Sequence, residues 1–286
     1  MKEYRLSVVL LISHIGALVF GLIGLLIMLP NPDLWNDDPR AVRVFNWSIE
    51  NAGATHIILG AAAMFAFGVK ALGWSKTTIF FTVSFGLSLA SELVGTGTGW
   101  PFGNYEYTDF LGQKVFGQVP YTIPLSWFYM GLSSYLIGVA LVRHFRLPYA
   151  TLSGILAGGW LLTVWDLVLD PAMAHDSLQI KFWEWSETGP YFGMPIKNFV
   201  GWTLTALAFM AISRLLWRKE ADTGRIPAIF PFAIYTVNTI FAMALSMNVD
   251  LWIPVVLSAL LGLVPAWIAV NGKPPDLEGG SELRPE

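Results

Sequence analysis

The sequence predicts an all-α, polytopic membrane helical bundle of about eight transmembrane helices with aromatic-rich extracytoplasmic loops. Three observations predict it. The 286 residues are 55% hydrophobic and only 13% charged, with a mean hydropathy of +0.56, more apolar surface than a soluble domain of this length needs. Apolar runs approaching or reaching the ~20 residues required to cross a hydrocarbon core recur along the chain. The basic residues are distributed unevenly between alternate connections, as orientation by positive charge requires.

The runs are 6–29, 54–72, 77–94, 123–142, 151–169, 198–217, 227–246 and 251–270. The first exceeds the ~7–15-residue apolar stretch of a signal peptide, and no A-x-A site follows it, so it is expected to remain as a helix. The second follows a long polar stretch, 30–53. The third ends at a glycine tract, a common helix C-terminus. A short basic connection separates the fourth from the fifth, and Pro171 is expected to end the fifth. The sixth opens at Asn198 after an aromatic segment, and the last two are separated by only a few residues. Residues 1–273 form one transmembrane domain, and the Pro/Gly/Glu-rich residues 274–286 read as a disordered tail. No internal repeat is visible, so the inverted-repeat pattern of many transporters is missing.

With the N-terminus inside, twelve Lys and Arg residues fall on inside segments and five (Arg40, Arg43, Lys114, Lys181 and Lys197) on outside ones, which accounts for all 17. Three outside connections are long: 30–53, 95–122 and 170–197. Rich in Trp, Tyr, Phe and Gly, they are expected to pack as a cap, because long connections in compact domains tend to carry function.

Composition also excludes. With no cysteine there is no disulfide, thiolate metal site or cysteine nucleophile. The four histidines, His14, His56, His144 and His175, never lie three or four residues apart, so no metal site is expected, and no cofactor. His14 and His56 lie within helices and read as interhelical hydrogen-bonding groups. No G-x-S-x-G or S-x-x-K arrangement points to a hydrolase. A net charge of −3 argues for no soluble partner and no nucleic acid.

Three acids stand where a membrane protein should not carry them. Charge at membrane depth costs at least ~2.5–3.5 kcal/mol per group, so such residues are functional candidates. Glu92 precedes the tract Gly95-Thr96-Gly97-Thr98-Gly99-Trp100-Pro101-Phe102-Gly103-Asn104-Tyr105-Glu106-Tyr107. This tract does not suit a phosphate cradle, since no strand precedes it and no Lys-Ser/Thr follows. Asp166 and Asp170, four apart, share one helix face. Two neighbouring carboxylates in a low dielectric cannot both ionise cheaply, and a carboxylic acid that keeps its proton is what a general acid requires. The helix interiors offer almost no Arg or Lys to pair with them. A third segment, Phe182-Trp183-Glu184-Trp185 through Pro195, leads to Asn198 and Trp202. Its aromatic residues form a membrane-interface belt or, together, an apolar slot whose ring faces stabilise a cation. The candidate catalytic residues are Glu92, Asp166 and Asp170, converging on one cavity. The candidate substrate-binding residues are Trp100, Tyr105, Glu106, Trp127, Trp165, Asn198 and Trp202.

Four stretches, 91–107, 119–131, 165–173 and 189–202, resemble the membrane carotenoid 1,2-hydratase family in order and spacing. The resemblance implies addition of water across the terminal double bond of an acyclic ψ-end group, giving a tertiary alcohol, with a hydrophobic carotenoid as substrate. It also implies a multi-pass protein of the inner or plasma membrane, or of thylakoids in a cyanobacterium, possible association with other carotenoid-pathway enzymes, and no cofactor. Such hydration needs an acid to protonate C2, shielding for the cation at C1, and a base for water. Asp166, deeper than Asp170 and next to Trp165, is the favoured donor. A linear C40 polyene is about as long as the roughly 30 Å core is thick, which places its tip near an interface. The alternatives are a carotene cyclase, which also begins by protonating an alkene, a carotenoid- or lipid-binding protein, and a small transporter with an acidic proton relay.

Overall fold

The computed structural model describes residues 2–217 and 226–272, so the tail expected over 274–286 lies outside the described residues. Among the described residues, eight helices are long and apolar enough to cross a membrane: α1 (Arg5–Met28), α2 (Pro39–Ala71), α3 (Trp74–Thr98), α4 (Thr122–His144), α5 (Ala150–Met173), α6 (Ile196–Leu216), α7 (Ile229–Asn248) and α8 (Trp252–Asn271). The protein is a polytopic helical membrane protein. Helix α4 is its axis, with 83% of its most apolar window buried inside the protein against 17% for α1. Helix α4 accordingly buries Ser133, Ser134 and Gly138 among its large side chains, whereas α1 buries one narrow stripe, Ser7, Leu11, His14 and Leu18. Lipid-facing helices need only be apolar, whereas a central helix must fit its neighbours.

The closest fit is between α4 and α5. A Cβ on Gly138 would stand 2.6 Å from the backbone nitrogen of Gly158, and one on Gly158 would stand 2.8 Å from Cα of Tyr135. Gly154 and Gly158, four apart, therefore give α5 the flat face on which helices pack in a bilayer without help from the hydrophobic effect.

Three boundaries differ from those the sequence suggests. Helix α2 begins at Pro39, so most of the expected loop 30–53 is helical. Asp38 caps it by accepting from the Arg40 amide at 2.8 Å, and Pro39 occupies the first turn, where its missing N–H loses nothing. At 33 residues α2 is about 50 Å long, well beyond the apolar thickness of a bilayer. Helix α3 runs through its first two tract glycines and stops at Gly99, whose φ of 73° makes the left-handed cap. Pro171 does not end α5, which continues to Met173. The carbonyl of Leu167, deprived of its helical donor by the proline, accepts from the Tyr191 hydroxyl at 3.2 Å.

Two long connections meet at one end of the bundle. Strand β1 (Tyr105–Tyr107) follows α3. Strands β2 (Lys114–Val115) and β3 (Val119–Pro120) make a small hairpin before α4. Strand β4 (Trp183–Trp185), between α5 and α6, pairs antiparallel with β1, setting Tyr105 opposite Trp185 and Tyr107 opposite Trp183. This pairing closes an aromatic cap over the ends of α3, α5 and α6.

Candidate functional site

Strand alternation decides what the cap presents downward. In β1, Tyr105 and Tyr107 are buried and Glu106 between them is exposed, opposite the exposed Glu184. Both phenols reach one carboxyl: Oε2 of Glu92 accepts from Tyr105 Oη and, at 2.9 Å, from Tyr107 Oη, while Oε1 accepts from Trp127 Nε1 at 3.0 Å. Glu92 is 3% exposed and lies about 9 Å, six residues, before the end of α3. Burial and the neighbouring Glu92 charge hold both tyrosine hydroxyls well above the usual phenol range, so they remain donors.

Asp166 and Asp170 are fully or almost fully buried on α5. Asn198, in the first turn of α6, bridges them: its Nδ2 donates to Asp166 Oδ2 at 2.9 Å and to Asp170 Oδ2 at 2.6 Å. The other oxygen of Asp170 accepts from Trp183 Nε1, whereas Oδ1 of Asp166 has no hydrogen-bond partner among the described residues. Among the described residues, the hydrogen bonds to these three carboxyl groups come only from neutral donors, and none of the three is ion-paired.

Glu92, Asp170 and Asn198 line one cavity. Trp127, Trp165 and Trp202 form an aromatic wall: the Trp127 and Trp202 rings stack at 4.0 Å between centroids, and Trp165 meets Trp202 edge-on at 5.9 Å. The floor carries a second polar group, in which Asn238 receives the Tyr129 hydroxyl at 3.0 Å and contacts His14 Nε2 at 3.0 Å. His14 Nδ1 lies 2.7 Å from the carbonyl of His56, so His14 does join helices as a hydrogen-bonding group.

The sequence-derived candidates divide accordingly. Glu92, Asp170, Tyr105, Trp127, Trp165, Asn198 and Trp202 line the cavity, and Asp166 sits one hydrogen bond behind it. Glu106 does not, because alternation turns it outward. Trp100 does not either: it is 68% exposed beyond the Gly99 cap, and Phe102 turns inward instead. The Phe102 ring fills the space where Cβ atoms on Gly95 and Gly201 would stand, at 2.7 and 2.6 Å, so the tract's first glycine seats an aromatic ring between α3 and α6. Tyr107 and Trp183 were missed as site residues. The signal was the alternation in Tyr105-Glu106-Tyr107 and Trp183-Glu184-Trp185, which sends every second side chain to one face. Among the described residues no group of three or more His, Cys, Asp or Glu stands where it could hold a metal.

Fold and site together define a polytopic membrane protein with an acidic, aromatic-walled cavity beneath a cap at one end. The family of carotenoid biosynthesis proteins matches over residues 52–265, three quarters of the chain, and the chain belongs to that family. The match includes all four resembling stretches and extends from α2 into α8. The chain is also similar to the bisanhydrobacterioruberin hydratase of Haloarcula japonica, 29% identical over 182 residues, which cover 63% of this chain and 59% of that protein. The similarity thus spans about three fifths of that relative's length. No solved structure matches.

Proposed function

We propose that the protein is a carotenoid hydratase, adding water across the terminal C1–C2 double bond of an acyclic ψ-end group to give a tertiary 1-hydroxy carotenoid. The observation that carries this reading is the pairing of two differently built acidic centres across one aromatic cavity. Asp170 lines the cavity and gives its proton to C2. The charge left behind is met by donors already in place, Trp183 Nε1 and Asn198 Nδ2, which is electrostatic preorganisation. The cation at C1 faces the rings of Trp127, Trp165 and Trp202. Glu92, whose carboxyl oxygens accept from three donors, takes a proton from the water that bonds to C1. Return of that proton to the aspartates completes a cycle whose net change is one water added. Asp166, favoured from sequence as donor, is here the positioning partner, linked to Asp170 through Asn198. The hydratase name of the Haloarcula japonica relative supports the same reading.

Expression in a host that accumulates lycopene or γ-carotene tests it through product mass. A gain of one water per ψ-end group is expected. An isomass product would make the protein a cyclase, and an unchanged carotenoid would leave a binding protein or transporter.

A further inference from the structure

A second cavity adjoins the first and shares three of its walls, His56, Met173 and Phe241. It lies mainly between α1 and α2, under Phe110 and Phe182 of the cap connections. Its lining contains no carboxyl and no Lys or Arg. The polar side chains there, Ser48 and His56, are turned to their own helix: Ser48 Oγ donates to the Phe45 carbonyl at 2.8 Å, and His56 Nδ1 lies 3.2 Å from the Ala52 carbonyl. Most of what faces the space is apolar. Phe20 at its edge is 43% exposed on the face that α1 turns to lipid. Helix α1 is modified where it borders the cavity. It carries Gly21 and Gly24, and from Gly24 to Met28 it widens into a π-turn, a device that recurs at functional sites. A Cβ on Gly24 would meet nothing within 4 Å, so the glycine leaves room that nothing in the protein fills.

Resting on the hydratase reading, we propose that this second chamber holds the polyene shaft next to the reacting end group, and that the substrate reaches the acidic cavity sideways from the bilayer between α1 and α2. An acyclic carotenoid is a long apolar rod with one reactive tip. It needs a polar, proton-bearing pocket for the tip and an apolar slot continuous with it for the shaft, and the two chambers meet both needs at one level of the bundle. The substrate then lies across the capped half of the protein instead of standing along the membrane normal, and its far end trails in lipid. His56, Met173 and Phe241, at the junction, set how far the tip advances.

Gly24→Phe tests this directly, because the new ring enters open space and should not disturb folding. Val19→Phe, 49% exposed on the same helix and lining neither chamber, is the control. With lycopene presented in vesicles, Gly24→Phe should raise the apparent KM about tenfold or more, since a pocket rejects what no longer fits by factors of that order. Val19→Phe should stay within about twofold of the parent. Equal KM and rate in Gly24→Phe, at equal protein level, would overturn the proposal. Lycopene retained by the purified protein, read from its visible absorbance, separates the two readings. If the parent retains lycopene but hydrates none, the hydratase reading fails and the chamber is judged by whether Gly24→Phe loses the pigment. If the parent neither retains nor converts lycopene, both fail.

Discussion

Asp170 and Asp166 sit one helical turn apart and share Asn198, yet their surroundings differ, and substitution should separate them. Asp170→Asn keeps volume and hydrogen bonding but carries no transferable proton. Turnover should fall by ~10²–10⁴, the usual worth of general acid catalysis, with retained lycopene unchanged. Asp166→Asn leaves the Asn198 and Trp183 donors on Asp170, and the loss should be only about tenfold, one hydrogen bond's worth of positioning. A larger loss in Asp166→Asn than in Asp170→Asn would return the donor role to Asp166. Tyr107→Phe removes one of three donors to Glu92. A hydrogen bond to a charged group is worth ~1.5–3 kcal/mol, so kcat should drop roughly 10- to 100-fold. Because burial and Glu92 hold both phenols above their ordinary range, neither ionises below about pH 10, and the donors persist through alkaline assays. The alkaline limb of the rate profile should therefore keep its position in Tyr107→Phe while its height falls. A limb that moves with the substitution would show that the phenol itself titrates there.

The elements separate what sequence makes legible from what it hides. Helices announce themselves as apolar runs, and all eight were legible because lipid demands the same chemistry along a whole span. The first third of α2 was not, since Arg40, Arg43, Asn46 and Glu50 break the apolar window. Its start was nonetheless written in Asp38-Pro39, a cap followed by a first-turn proline. Glu92, Asp166 and Asp170 stood out because acids are rare in apolar runs. Tyr107 did not, because its inward turn depends on pairing with a strand 76 residues later in the chain. The α4–α5 contact is another long-range feature with a local signature, Gly154 and Gly158 at helical spacing. Gly138→Val forces a branched side chain against the Gly158 backbone, at a site already closed at 2.6 Å. Overpacking of this kind costs ~1–3 kcal/mol or more. The variant should melt several degrees below the parent in detergent, as followed by circular dichroism, while Ile212→Val on the lipid-facing side of α6 should leave the melt in place.

At the scale of the whole molecule, charge and chemistry point the same way. The end that carries the cap and the acidic cavity is the end to which the sequence assigns five of the 17 basic residues, and the opposite end receives twelve. Positive charge resists translocation, so the capped end is expected outside and both termini inside. The argument does not depend on one helix: Lys70 with Lys76 between α2 and α3, Arg143 with Arg146 between α4 and α5, and Arg214 at the end of α6 each favour the same orientation. The acids lean the other way, with Asp109, Asp176, Glu184 and Glu187 on the cap connections. There Lys181 pairs with Asp176 at 2.7 Å and Lys197 with Glu187 at 2.8 Å, so much of the cap's positive charge is already matched at the surface. A reporter enzyme active only after export, fused after Glu286, should be silent, and the same reporter inserted between Phe116 and Gly117 in the β2–β3 hairpin should be active. An active C-terminal fusion would invert the topology and place the cavity at the cytoplasmic face. The proposed proton cycle would survive that inversion, because Glu92, Asp166 and Asp170 all lie within the capped half. The side from which water reaches Glu92 would change.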